Sequence, residues 1–161
     1  VAIAYEPREG AKKYHSNRTS KKAISSSDYF KQFLIETPSK SNKPKKLPEA
    51  PVVLNNIFFM AEDYTILPKS EEELMNLVTF MKKNPDVKIK IIGHTDEDGG
   101  KEVNEQLSKN RAKIVYNFLI MEDIAPTRLS YEGRGNSERI TESRAEFARN
   151  KNRRVEFEVM R

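Results

Sequence analysis

The chain has no cysteine, no tryptophan, two histidines and six glycines among its 161 residues. Without cysteine it offers no disulfide, no thiolate nucleophile and no thiolate-ligated metal. His15 and His94 are the only imidazoles, and no serine stands in a nucleophile-elbow pattern, so an enzymatic reading such as an amidase or peptidase finds no nucleophile or metal with its supporting groups. No run reaches the roughly 18 to 20 apolar residues that a membrane span needs. Val1 opens no signal-peptide pattern and no lipid-accepting cysteine is present, so the sequence is expected to be a mature or excised piece of a longer protein.

Charge is abundant at 33% of residues, with a formal net charge of +5, but it is unevenly spread. Residues 1–50 hold 11 Lys/Arg against 5 Asp/Glu, a net +6, whereas residues 51–161 hold 18 against 19, a net −1. The basic excess is therefore confined to an N-terminal arm and linker, with a near-neutral domain expected over 51–161. That distribution argues against nucleic acid as the partner. It leaves the arm able to touch anionic lipid, wall polymer or an acidic protein by screened, unspecific attraction.

Val1–Tyr5 alternates weakly, as a strand does, and 6–27 is polar with little to bury. Asp28–Thr37 is ambiguous: Tyr29, Phe30, Phe33 and Leu34 have helical spacing, yet Phe33–Ile35 reads as strand, and Pro38 favours the strand. Pro38–Pro51, with four prolines, reads as a semi-extended linker. Leu54–Phe59 is an apolar run of strand length. Ser70 and Glu73 form a capping-box pattern ahead of a helix whose inward stripe is Leu74, Leu77, Val78 and Met81, ended by Asn84-Pro85. A strand at Lys88–Ile92 follows, then a helix to about Met121 burying Ile114, Val115, Phe118 and Leu119. Leu129–Glu132 is a third strand, Thr141–Asn150 a third helix using Ala145, Phe147 and Ala148, and Arg154–Met160 a final strand. The order β-α-β-α-β-α-β predicts an α/β (α+β) two-layer sandwich, a mixed sheet with helices on one face.

The most informative stretch is Ile91-Ile92-Gly93-His94-Thr95-Asp96. Asp96 falls just past a strand end, and Asp98-Gly99-Gly100 is turn chemistry leading into a helix that carries Asn104, Leu107, Ser108 and Arg111. Arg111 is 15 residues beyond Asp96, about two to three turns into that helix, so both charges can face one cleft. A carboxylate and a guanidinium there suit a zwitterion, one taking its ammonium and the other its carboxylate. Taken alone, Asp96 reads equally as a helix cap, and Arg111 as a surface or structural ion-pair residue. His94, Asp96 and Asp98 alternate as metal ligands can, but Gly100 and Leu107 stand where a calcium loop needs oxygen donors, so no metal is expected. His94 reads as a strand-end residue that orders the turn. Asn104 is divided evenly between pinning the loop and meeting a ligand. Arg153 and Arg154 opposite Glu156 and Glu158 read as a sheet-edge charge ladder.

Gly93-His94-Thr95-Asp96, then Asn104, Leu107-Ser108, Arg111-Ala112 and Asn152-Arg153-Arg154-Val155-Glu156, in this order between about Val53 and Val159, resemble the C-terminal peptidoglycan-binding domain of the OmpA family. The resemblance implies a non-catalytic, cofactor-free periplasmic module that grips the diaminopimelate of the cell-wall stem peptide and anchors an outer-membrane or secretion assembly to the wall. It implies that Asp96 and Arg111 hold the free amino-acid end of the ligand, with Asp98 and Asn104 on the peptide backbone and Leu107 beside them. Many relatives carry an aspartate in the first-strand motif, where this chain reads Phe58-Phe59-Met60-Ala61-Glu62-Asp63. Met60 stands at the usual acidic place, so this wall, with Met60, Ala61 and Glu62, is either apolar or served by Glu62 or Asp63. That departure keeps open a protein-interaction module without wall binding. The first strand, Val53–Phe59, further resembles wall-binding domains of PorE-type periplasmic lipoproteins in type IX secretion.

Overall fold

The computed structural model describes residues 23–34, 47–59, 64–96 and 99–160. The expected strand at Val1–Tyr5, most of the polar stretch after it and most of the proline-rich linker lie outside these residues. Five strands, β1 (Ile24–Ser25), β2 (Val52–Leu54), β3 (Lys88–Gly93), β4 (Leu129–Gly133) and β5 (Val155–Met160), form one mixed sheet in the order β1-β2-β5-β3-β4. β1 is parallel to β2 and β3 to β4, while β5 is antiparallel to both β2 and β3. Among the described residues four α-helices accompany it: α1 (Ser26–Leu34), α2 (Glu71–Lys83), α3 (Lys101–Met121) and α4 (Glu146–Asn152). The expected β-α-β-α-β-α-β run is thus present as β2-α2-β3-α3-β4-α4-β5, preceded by β1 and α1.

Alternation in the strands sends Val52, Leu54, Ile89, Ile91, Val155 and Phe157 into one core, where the stripes of α2 (Leu74, Leu77, Val78, Met81) and α3 (Ala112, Val115, Leu119) meet them. Phe157 gathers Tyr29, Phe30 and Phe80 around it, with ring centroids 5.7 to 6.4 Å from its own. Such ring pairs add about 0.5–1.5 kcal/mol each beyond area burial. Arg128 fastens the end of α2: its guanidinium donates to the carbonyls of Met81, Asn84 and Val87 at 2.7–2.9 Å, satisfying acceptors that a helix end leaves open.

The structure corrects several expectations. Phe33 and Leu34 lie in helix α1, because Tyr29 and Phe30 are buried against the core and helical spacing delivers both there. The first strand is Val52–Leu54, since Asn55-Asn56 turns the chain before Phe58 and Phe59. Ser70 does not close a capping box: its hydroxyl accepts from the Phe58 N–H at 2.8 Å and donates to the Phe58 carbonyl, bolting the segment after β2 onto the start of α2. Glu73 instead accepts from Asn56 Nδ2 at 3.2 Å. The third helix starts at Glu146 rather than Thr141, because the buried Asn152 side chain binds the N–H groups of Ile140 and Thr141 and the Thr141 carbonyl, holding that stretch out of helix. Of Ala145, Phe147 and Ala148, only Ala148 is buried, and Phe147 is 71% exposed.

Gly93 and Gly133 are register partners at the ends of β3 and β4. A Cβ on Gly93 would stand 2.0 Å from the Ser108 carbonyl oxygen, and one on Gly133 2.4 Å from the Lys109 nitrogen. The backbone of α3 therefore rests directly on these two strand ends, which sets Asn104 and Arg111 beside the chain leaving β3.

Candidate functional site

The chain leaving β3 is pinned from both sides. His94 N–H donates to the Arg154 carbonyl at 2.9 Å and Thr95 N–H to the Gly135 carbonyl at 2.8 Å, while Gly135 N–H donates to Ser108 Oγ at 2.9 Å. Asp96 follows at once, so its position is inherited from β3, β5 and α3 together. The N-cap position of α3 is Gly100 rather than Asp96. Asn104 Nδ2 donates to the Gly99 carbonyl at 3.3 Å, so it pins the loop, and its side chain also lines the groove described next.

A groove of about 1780 Å³ opens at this end of the sheet, and Thr95, Asp96, Asn104, Leu107, Arg111 and Arg153 all line it. Phe58, Phe59, Tyr64 and Val103 line it as well. Arg111 is buried, with its guanidinium carbon 5.0 Å from the Phe59 ring centroid, a cation–π distance. The sequence-predicted pair, Asp96 and Arg111, thus shares one groove together with Asn104 and Leu107. Met60, Ala61, Glu62 and Asp98 lie outside the described residues.

Asp96 is 5% exposed, and its Oδ2 accepts from Arg149, through Nε at 3.3 Å with Nη2 at 3.2 Å, and from Arg153 Nε. Arg153 also donates to Glu146 Oε1 at 2.7 Å. Partial burial works against the Arg153 charge, but the hydrogen bonds and charges of Asp96 and Glu146 outweigh it and raise its pKa. Two expectations change here. Arg153 leaves the supposed sheet-edge ladder to hold Asp96, and Arg149 was not anticipated at all. Its available signal was the four-residue spacing from Arg153, which puts two guanidiniums on one side of a helix end.

His94 is turned away from the groove. It is 1% exposed, with Nε2 2.8 Å from Glu156 Oε1, and Glu156 also receives Arg154 Nε at 3.4 Å. Burial pushes the Glu156 carboxyl up, but His94 and Arg154 together hold it below the ordinary carboxylate range. Burial lowers the Arg154 pKa despite Glu156. Glu158 lies 3.7 Å from Arg134, which also bonds Glu132 and Glu138. Among the described residues, His94, Glu138 and Glu156 bring ligand-type atoms within 4.8 Å of one another. Arg134 and Arg154 already engage those carboxylates, and their positive charges oppose a cation there.

The OmpA family profile matches residues 58–153. Outer membrane porin F of Pseudomonas fluorescens is 34% identical over 104 residues, which cover 65% of this chain and 32% of that protein. Peptidoglycan-binding protein ArfA of Mycobacterium tuberculosis is 33% identical over 103 residues, covering 64% and 32%. Among solved structures, the C-terminal domain of Helicobacter pylori MotB superposes with a TM-score of 0.61 at 26% identity, covering 66% of this chain and 83% of that one. The peptidoglycan-associated lipoprotein from Burkholderia pseudomallei shares the fold, with a TM-score of 0.61 at 23% identity over 65% and 88% of the two chains. The chain spans about a third of the length of porin F and of ArfA. With its groove residues Asp96, Asn104, Leu107, Arg111 and Arg153 all inside the matched segment, this chain belongs to the OmpA family.

Proposed function

We propose that this domain binds peptidoglycan non-covalently through the diaminopimelate of the stem peptide and thereby anchors a periplasmic, outer-membrane-associated assembly to the wall. The observation that carries the reading is the shared groove: an acid and a base, Asp96 and Arg111, line one opening at the strand ends. Asp96 takes the ligand's ammonium and Arg111 its carboxylate, each charge-assisted contact contributing about 1.5–3 kcal/mol. Arg153 fixes the Asp96 carboxylate before ligand arrives, which reduces the ordering cost of binding. Asn104 and Leu107, with Asp98, Met60, Ala61 and Glu62, serve the peptide beyond the zwitterionic tip. The names of two relatives, a peptidoglycan-binding protein and an outer membrane porin, support the same ligand and the same side of the cell.

On this reading the module is non-catalytic, residues 51–161 are the wall-binding domain, and residues 1–50 are an arm of which β1 and α1 pack onto it. The tethered machinery is a secretion or outer-membrane complex, with type IX secretion lipoproteins of the PorE type as the specific candidate. Co-sedimentation with purified sacculi tests the reading. Wild-type protein pellets with the wall, whereas Asp96→Ala and Arg111→Ala remain in the supernatant with near-normal thermal melts. Equal pelleting of all three proteins would defeat the assignment.

A further inference from the structure

A second cavity of about 290 Å³ is lined by Arg139, Arg144 and Arg149 with Thr141, Ser143, Asn152 and Glu142. At about 30 Å³ per water it has room for roughly ten waters, enough for a hydrated oxyanion. Its rim is prebuilt, because buried Asn152 ties down the backbone at Ile140 and Thr141, and Thr141 Oγ1 accepts from the Ser143 N–H at 3.1 Å. Residues 134–154 carry seven Lys/Arg against three Glu, a net +4 inside a domain whose total is −1. The carboxylate in the cavity is Glu142, 3.0 Å from Arg139, and its side chain is 81% exposed, so it exchanges readily with water. Arg144 is exposed and, among the described residues, makes no side-chain ion pair.

We propose that this arginine pocket is an oxyanion site of phosphate class, a free phosphate ester or a phospholipid head group, and that Arg149 couples it to the groove. Three arginines line it, a residue type whose planar fork matches phosphate oxygens, with the hydroxyl residues Thr141 and Ser143 beside them. Arg149 belongs to both places: it lines the pocket while its Nε and Nη2 hold Asp96. An anion in the pocket draws Arg149 from Asp96 and frees that carboxylate for a ligand ammonium, so the two ligands favour each other reciprocally. The coupling rests on the reading of the groove given above; the anion site does not.

The test is titration of the full chain with inorganic phosphate at constant ionic strength, followed by amide NMR shifts. Saturable shifts over residues 139–152 are expected, with affinity reduced about tenfold in Arg144→Ala, whose exposed side chain leaves the fold intact. Shifts that grow without saturation, or that are the same in Arg144→Ala, would overturn the site. Flotation with phosphatidylglycerol vesicles against phosphatidylcholine vesicles then assigns the source: flotation with the former alone means a lipid head group, and no flotation beside saturable phosphate shifts means a soluble ester. Adding saturating phosphate should tighten meso-diaminopimelate binding about fivefold in wild type and leave it unchanged in Arg149→Gln. An unchanged wild-type affinity would refute the coupling. Absence of any diaminopimelate binding would instead count against the groove reading, with the phosphate titration still deciding the pocket.

Discussion

Asp96 and Glu156 are two buried carboxylates at the same end of the sheet, 5% and 3% exposed, and each is engaged by arginine. Their surroundings differ in what lies on the far side. Glu156 is closed in by the His94 ring and by Arg154, itself 9% exposed, which also donates from Nη2 to the Glu138 carbonyl at 3.1 Å. Asp96 lines an open groove and is held by Arg149 and Arg153, whose side chains are about a quarter to a third exposed and which both also approach Glu146. The same chemistry therefore closes a charge inside the fold in one place and leaves one lining an open groove in the other.

The comparison breaks most visibly through Glu156. Glu156→Ala strands Arg154 in a buried position, and a loss of about 3–5 kcal/mol in urea unfolding is expected. A loss below 1 kcal/mol would mean that the cluster is not sealed as described. Next comes the seat shared by both carboxylates. Gly93→Ala forces a methyl group against the Ser108 carbonyl and should cost about 2–3 kcal/mol by the same measurement, with weakened groove binding because α3 shifts. If Gly93→Ala is neutral in stability and binding, α3 does not rest on β3 as closely as the geometry requires.

Acid sharpens the contrast further. The folded-state pKa of Glu156 lies below its ordinary value of 4.5, so its contribution is complete above that value and fades as pH falls through the folded pKa. Each unit of depression corresponds to about 1.4 kcal/mol. Melting temperature should therefore drop more steeply below pH 4.5 in wild type than in Glu156→Gln, and parallel curves would remove Glu156 from the account. The smallest stability change belongs to Asp96→Asn, about 1 kcal/mol or less, since Arg149 and Arg153 retain Glu146 and solvent. A loss as large as that of Glu156→Ala would make Asp96 structural too.

Periodicity made the β-α-β order legible, because apolar residues at period 2 in β3 and near 3.6 in α2 and α3 report burial locally. The groove pair was legible for a related reason: Asp96 and Arg111 are joined by one turn and one helix. What could not be read depended on distant contacts. Arg149 and Arg153 reach Asp96 from 53 and 57 residues away, and no spacing rule connects them. Tyr29 and Phe30 sit in an apolar run too short to separate strand from helix until Phe80 and Phe157 are found beside them. Ser70 has the residue type of a cap, but Phe58 takes its hydroxyl, a competition that only the tertiary structure resolves.

The most direct measurement is calorimetric titration of the wild-type chain and Asp96→Asn with a soluble diaminopimelate-containing tripeptide. Saturable, micromolar-class binding to wild type is expected, with a loss of at least about tenfold in Asp96→Asn at nearly unchanged melting temperature. Equal affinity for both proteins, or no saturable heat with wild type, would contradict the claim that this groove clasps the charged tip of the stem peptide.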